Sequence, residues 1–211
     1  DPLGPDEYGY YIYDMGDTNY DLAPTYNWVE ISTNEGGNGT PLNLSDNGNG
    51  IYSNSSEIID LPFSFQFYGE DYDKITVCTN GWIAFGESNL ESFRNYPVPG
   101  AGGPSAMIAA FWDDLYTTGN ADVFVYHDML NDDFIIEWYR MKNFMENDLQ
   151  TFQIILHQNI DSNIDNNVTI QYQTFNNTST GDYYSYTPKH GAYSTIGIEN
   201  HLSEIGLQYS F

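Results

Sequence analysis

One stretch of the sequence, residues 61–86 (LPFSFQFYGEDYDKITVCTNGWIAFG), alternates apolar and polar side chains along much of its length. A β-strand turns successive side chains to opposite faces, so Phe63, Phe65 and Phe67 share one face. The pattern predicts a rigid aromatic hairpin whose apolar face must be buried against a second layer. No residue with evident catalytic chemistry lies on it, so we expect the hairpin to be scaffold.

The same stretch contains two turn signals. The polar residues Glu70–Asp73 predict a first turn, after which the alternation resumes. Asn80-Gly81 predicts a second, because this dipeptide forms the two-residue loop whose twist matches that of paired strands. Trp82–Phe85 would then run back beside the preceding strand.

Other strand-like stretches occur along the whole chain, separated by turn residues. They are Tyr8–Tyr13, Tyr26–Ile31, Val123–His127, Phe134–Tyr139, Phe152–His157, Val168–Phe175, and a closing pair, YSTIGIEN and IGLQYSF, around a turn at His201–Glu204. Strands of this length predict a single all-β domain over residues 1–211. We expect an antiparallel β-sandwich, jelly-roll-like, with little or no helix.

Two segments depart from this pattern. Residues 32–56 are rich in Gly, Asn and Ser, which favour turns, and predict a long surface loop. Met141–Gln150 is the best candidate for a helix, but it is short and polar.

Charge argues against two classes of partner. With 30 acidic residues against five basic ones, the formal net charge is −25 at pH 7. This field repels phosphate backbones and anionic lipid surfaces, so we expect no binding to nucleic acid. No apolar run approaches the roughly 20 residues that span a bilayer, so we expect no membrane insertion.

The chain opens on Asp1-Pro2 without an initiator Met or a signal peptide, which predicts a processed chain at the cell surface or outside the cell.

We expect the protein not to be an enzyme. Cys78, the only cysteine, lies in a strand-like stretch of an acidic chain, where packing is the expected role. The histidines form no HExxH motif, and the serines lack a GxSxG elbow. A glycosidase needs two carboxyl groups, and Glu137 in FIIEWYR with Asp113 or Asp114 in FWDDL could supply them. The alternative is a solvent-facing Glu137 and a turn-capping Asp113.

Two acidic loops have the spacing of oxygen ligands that Ca²⁺ prefers. DMGDTNYD contains a D-x-N-x-D pattern and DSNIDNN repeats it, although neither has the bidentate Glu of an EF-hand. We expect a structural Ca²⁺ at the first loop ahead of the second, with solvated turns as the alternative and the FWDDL acids as a third candidate. The candidate ligands are Asp14, Asp17, Asn19, Asp21, Asp161, Asn163, Asp165, Asp113 and Asp114.

A tyrosine-rich segment, GDYYSYTPKHGAYS at residues 181–194, is a candidate contact surface. Burying all of its rings in so turn-rich a segment would be difficult. Exposed rings could stack on sugars or contact a neighbouring subunit, while core packing of some of them is the alternative. The four residues are Tyr183, Tyr184, Tyr186 and Tyr193.

The pieces LPFSFQFYG, TNGWIAFG and IAAFWDDL resemble the FPFYG / SNG / FWDDL pattern of nidogen-like modules. Further pieces, among them FRNYPVPGAGGP and HGAYSTIGIEN, resemble an accessory domain found beside gingipain-type peptidases and other secreted bacterial cell-surface proteins. The resemblance implies an extracellular β-sandwich with a role in attachment, assembly or domain spacing. It does not extend to proteolysis, because the catalytic His-Cys segment of the peptidases is missing.

We therefore expect a non-catalytic secreted module, structural or adhesive. It would assemble with copies of itself or with other cell-surface proteins through edge or terminal strands, giving fibres or surface layers. The alternative is a calcium-dependent module that binds glycans beside a secreted hydrolase or peptidase. A glycosidase is a third hypothesis.

Overall fold

The computed structural model describes residues 1–48, 52–144, 148–159, 164–178 and 193–211, with the backbone alone at 52–54. Two six-stranded antiparallel sheets carry the fold, which confirms the predicted antiparallel β-sandwich. The strands are β1 (Thr40–Pro41), β2 (Ser45–Asp46), β3 (Tyr52–Asn54), β4 (Ser56–Phe67), β5 (Glu70–Cys78), β6 (Trp82–Phe85), β7 (Met107–Trp112), β8 (Leu115–Tyr116), β9 (Asp122–Asp128), β10 (Asp133–Asn143), β11 (Leu149–His157), β12 (Val168–Thr174), β13 (Thr195–Glu199) and β14 (Gly206–Ser210).

The first sheet has the order β14-β13-β7-β6-β5-β4. The second has the order β1-β9-β10-β11-β12, with β8 paired to β10, and β2 and β3 form a separate pair. The predicted loop at residues 32–56 is therefore wrong in part, because it contains these short strands and a 3₁₀ turn at Thr33–Glu35. Among the described residues, no helix is long and apolar enough to cross a membrane.

The aromatic hairpin is present, but both of its turns differ from the prediction. Phe67 pairs with Glu70, so the first loop is Tyr68-Gly69, and both of its residues have positive φ (50° and 76°). This is the backbone that a two-residue hairpin loop requires, and Gly69 adopts it without strain. The predicted turn at Glu70–Asp73 is wrong, because these residues already belong to β5.

The second turn is one residue longer than predicted. Cys78 pairs with Trp82, which leaves the loop Thr79–Gly81 between them. Gly81 adopts φ 79°, the left-handed conformation that typically closes a three-residue loop. The prediction located the turn correctly and gave it the wrong length.

The core lies between the sheets and is mainly aromatic. Phe65 stacks on Phe85 with ring centroids 4.9 Å apart, and Trp138 stacks on Phe152 at 5.0 Å. The Trp138 indole also donates a hydrogen bond to the Cys78 carbonyl at 2.8 Å, which joins the two sheets. The burial of alternate residues confirms the period-two pattern of β4.

Neither of the first two predicted strands forms. Within Tyr8–Tyr13 only Ile12 makes a bridge, to Leu3, because one carboxylate oxygen of Asp6 accepts the N–H groups of residues 8, 9 and 10 at 2.8–3.1 Å. Residues 26–31 lie across the outer face of the second sheet. There Ile31 packs with Phe124 and its neighbours in a small separate cluster.

Candidate functional site

The first predicted calcium loop is built as a turn. Asp17 is buried, and its carboxylate accepts the N–H of Asp14 at 2.9 Å, a bond that holds the pKa of Asp17 below its ordinary value. Asp14 in turn accepts the Tyr209 hydroxyl at 2.9 Å. The other two members, Asn19 and Asp21, are exposed. In the part of the chain that the structure describes, no three His, Cys, Asp or Glu side chains gather as a metal site, and calcium stays a prediction.

Of the second loop, Asp161 and Asn163 lie outside the described residues. Asp165 accepts the Tyr10 hydroxyl at 2.8 Å and the Gly69 N–H at 3.1 Å. The Asp165 carboxylate therefore joins the beginning of the chain to the turn of the aromatic hairpin.

The acids of FWDDL lie inside the fold. Asp113 and Asp114 follow β7 and are both buried. Asp113 accepts the N–H of Asp114 at 2.8 Å and the amide of Asn143 at 3.1 Å. Close by, Asn80 accepts the Leu115 N–H at 2.9 Å. These contacts connect the turn after β5 with the ends of β7 and β10, which is a structural arrangement.

Glu137 lies within a side-chain ladder on the outer face of the second sheet. It sits directly opposite Gln153 on β11, which sits opposite Gln171 on β12. Gln171 donates to Gln153 at 2.9 Å, and Gln153 donates to Glu137 at 2.8 Å. The ladder therefore runs across three strands and ends on the carboxylate.

The ladder holds the segment that covers it. Gln171 donates to the Asn27 carbonyl at 3.0 Å, Gln153 donates to the Val29 carbonyl at 2.6 Å, and Glu137 accepts the Ile31 N–H at 3.3 Å. Alternate residues 27, 29 and 31 thus bond to side chains as a strand would bond to a neighbour. This explains why the predicted strand Tyr26–Ile31 is absent from the sheets.

Glu137 is fully buried under this segment, so the expectation of a solvent-facing side chain is wrong. Burial raises its pKa to about 7; the Gln153 hydrogen bond opposes the rise and the negative charge of Glu30 adds to it. One oxygen, Oε1, has no described hydrogen-bond partner. The neighbouring acid is Glu30, and no described contact joins Glu137 to Asp113 or Asp114.

The other candidate reactive groups are also buried or hydrogen-bonded within the fold. Cys78 is buried, and desolvation raises the pKa of its thiol to about 12. The His157 ring lies 2.6 Å from the Asp133 carboxylate and 2.8 Å from the Thr169 hydroxyl, connecting three adjacent strands. Trp82 and Trp112 are fully buried.

Of the tyrosine-rich segment, Tyr183, Tyr184 and Tyr186 lie outside the described residues. Tyr193 is described and is 52% exposed. Whether these rings form one surface stays a prediction.

The sheet edges differ in a way that sequence reasoning missed. The long edge strand β4 carries the charges of Glu57 and Asp60, has Pro62, and loses register with β5 between residues 60 and 65. At its far end, the Gln66 backbone is occupied by Asn166, with bonds of 2.8 and 3.0 Å. Charge, proline and irregular pairing are the devices that keep an edge from pairing with other chains.

The edge strands β12 (VTIQYQT) and β14 (GLQYS) carry no charge and no proline, although each has one register shift against its neighbouring strand. Within the described ranges, neither has a backbone partner on its outer side. Tyr172 on β12 donates its hydroxyl to the Ala110 carbonyl on β7 at 2.6 Å, and its pKa is raised by burial and by Tyr209 on β14. The two edge strands are called the open flank below.

Residues 14–27 contact both strands of the open flank, in each case through a side chain of the edge strand. Asp14 binds the Tyr209 hydroxyl, and Asn27 exchanges two hydrogen bonds with the Gln171 side chain, at 3.0 and 3.3 Å. The segment therefore reaches both edge strands without occupying the outer N–H and C=O groups of either.

The family model described as NIDO related matches residues 20–211, which is most of the chain. A comparison with curated proteins found no match. A comparison with solved structures found none either.

Proposed function

The chain belongs to the NIDO-related family, and from that premise we propose that it is a non-catalytic structural or adhesive module of the extracellular surface. In this proposal it assembles with copies of itself through sheet edges. The observation that carries the proposal is the open flank, whose edge strands β12 and β14 carry no charged side chain.

The contrast with β4 supports this choice of surface. An unpaired edge strand is a template for another chain, and proteins that stay monomeric guard their edges. Here the opposite edge of the first sheet is guarded by Glu57, Asp60 and Pro62, whereas β14 has neither a charged residue nor a proline. A difference between two edges of one sheet is what selective pairing at one of them requires.

Charge bears on how such copies would meet. At a net charge of −25 they repel one another at long range, and salt screens this repulsion within about 10 Å at 0.1 M. The strands of the open flank carry no charged side chain, but the Asp14 carboxylate lies 2.9 Å from the Tyr209 hydroxyl on β14. Assembly should therefore strengthen as ionic strength rises.

The test is the size of the purified protein over a wide concentration range, by light scattering and sedimentation. The wild type should form oligomers or fibres at high concentration. Tyr209→Lys places a charge on the edge of β14 and should abolish them. Ile58→Lys, an exposed position on β4, is the matched control and should leave assembly unchanged. A wild type that stays monomeric at every concentration and ionic strength would overturn the proposal.

A second function is favoured by one surface feature. The rings of Tyr26 and Trp28 stack at 6.4 Å with an interplanar angle of 22°, and Tyr26 is 49% exposed. Such a pair is suited to stacking against a sugar ring, as in a calcium-dependent glycan-binding accessory module. Retention on a glycan array that is lost in Tyr26→Ala would support it, and retention unchanged by that variant would exclude this pair as the platform.

A further inference from the structure

Residues 8–13 (YGYYIY) form a strand-like segment that belongs to no sheet. Tyrosine and isoleucine favour strands, and the segment carries no charge. In the structure only Ile12 makes a β-bridge, to Leu3. The segment lies ahead of the part that matches the family, which begins at residue 20.

This segment is held to the domain by side chains. The Tyr10 ring packs 4.6 Å from that of Tyr68, and its hydroxyl donates to Asp165 at 2.8 Å. The Tyr68 hydroxyl donates to Asp6 at 2.7 Å, and Tyr8 makes a longer bond of 3.4 Å to Asp165. Among the described residues, no backbone-to-backbone hydrogen bond joins residues 1–26 to the rest of the chain.

Contacts of this kind can be exchanged at small cost. A hydrogen bond between side chains contributes about 1 kcal/mol net, so a few of them hold the segment weakly compared with a sheet ladder. The N–H groups of Tyr11 and Tyr13 have no described protein acceptor, and a strand partner would supply one. At an open edge these two N–H groups gain acceptors, whereas the N–H groups of residues 8, 9 and 10 exchange the Asp6 carboxylate for other acceptors.

We propose that residues 8–13 of one copy add as a strand to the outer edge of β14 of a second copy. This inference rests on the proposed self-assembly and names the strand that is donated and the edge that accepts it. The five residues of β14 match the six of the donor in length. Within one copy, the contact between Asp14 and Tyr209 brings the end of the donor segment beside β14.

A head-to-tail arrangement follows, because donor and acceptor are different parts of the chain. Each copy can give one strand and receive one, so the contact can repeat from copy to copy. Such heterologous contacts build open chains or rings.

Two single-site variants test the donor. Tyr11→Pro removes an N–H that has no described partner in the domain but that a ladder would use, and should raise the concentration needed for assembly about tenfold or more. Tyr11→Phe keeps the N–H and should assemble like the wild type. The double variant with Tyr8→Phe and Tyr10→Phe removes both tyrosine hydrogen bonds to Asp165. It should lower the protein concentration needed for assembly.

The decisive experiment mixes two variants that do not assemble on their own. Tyr11→Pro keeps the acceptor edge, whereas Tyr209→Lys keeps the donor segment. Each alone should be monomeric, and an equimolar mixture should give a dimer containing one of each, detected by light scattering and native mass spectrometry. If the wild type assembles but Tyr11→Pro assembles equally well, or the mixture stays monomeric, the donor assignment is wrong while self-assembly stands. If the wild type never assembles, both proposals fail.

Discussion

Glu137→Gln should remove a large part of the pH dependence of folding stability. Burial raises the pKa of Glu137 from 4.5 to about 7 in the folded protein. Between these values the folded state keeps a proton that the unfolded state has lost. The stabilisation is therefore complete below about pH 4.5 and is lost as the pH rises through 7.

The magnitude follows from the size of the pKa difference. One pKa unit corresponds to about 1.4 kcal/mol, so this carboxyl lowers the free energy of unfolding by about 2.5 kcal/mol between pH 5 and pH 8. Glu199 is also fully buried, with its pKa raised to about 7 by burial, and contributes a similar loss. The wild type should lose about 5 kcal/mol over this interval from the two groups together.

Urea unfolding followed by tryptophan fluorescence measures these free energies, since three of the four tryptophans are fully buried. The quantity to compare is the difference between pH 5 and pH 8. Any constant cost of placing an amide at this position cancels in that difference. The difference should shrink by about 2.5 kcal/mol in Glu137→Gln and by a similar amount in Glu199→Gln.

Glu57→Gln is the control for the loss of one negative charge, because Glu57 is exposed on β4. It should change the difference by less than about 0.5 kcal/mol. If Glu137→Gln keeps the full difference of the wild type, the carboxyl is not held protonated by burial and the reasoning fails.

Three further outcomes are expected. Gly81→Ala should lower the free energy of unfolding by about 2–4 kcal/mol, because Gly81 has a φ of 79° and a Cβ there overlaps the Phe111 carbonyl. Gly86 also has positive φ but lies in open space, so Gly86→Ala should lower the free energy of unfolding by only about 1 kcal/mol. Equal losses in the two variants would refute the steric explanation. The Cys78 thiol, buried and with its pKa raised to about 12, should react with a thiol reagent in urea and not in the native state, whereas fast native labelling would contradict its burial. If either acidic loop binds Ca²⁺, a chelator should lower the melting temperature, and an unchanged melting curve would dispose of that prediction.

Period-two patterning was sufficient to predict the sandwich and most of its strands. β9 to β12 and the closing hairpin lie where the alternation put them, because each buries one face against the other sheet. Patterning failed at Tyr8–Tyr13 and Tyr26–Ile31. There, side chains of Asp6, Gln153 and Gln171 take the hydrogen bonds that a neighbouring strand would have taken.

The candidate site was less accessible to sequence reasoning. An acidic loop looks the same whether it binds a cation or builds a turn, and Asp17 is used for the turn. The difference between β4 and β14 depends on which strands lie at sheet edges, which is a property of topology and not of local pattern. The glutamines at 153 and 171 did leave a signal, as polar residues inside otherwise apolar strands.

The ladder from Gln171 through Gln153 to Glu137 has a direction. Each amide donates toward the acid, and Gln153 accepts with its only carbonyl oxygen. Moving the carboxylate to the opposite terminus, by exchanging the residues at 137 and 171, would require both remaining amides to rotate by half a turn. Substitutions at these three positions are therefore expected to occur together. Related proteins should have either Glu at 137 with Gln at 153 and 171, or the reverse order with Glu at 171, and seldom a mixture of the two.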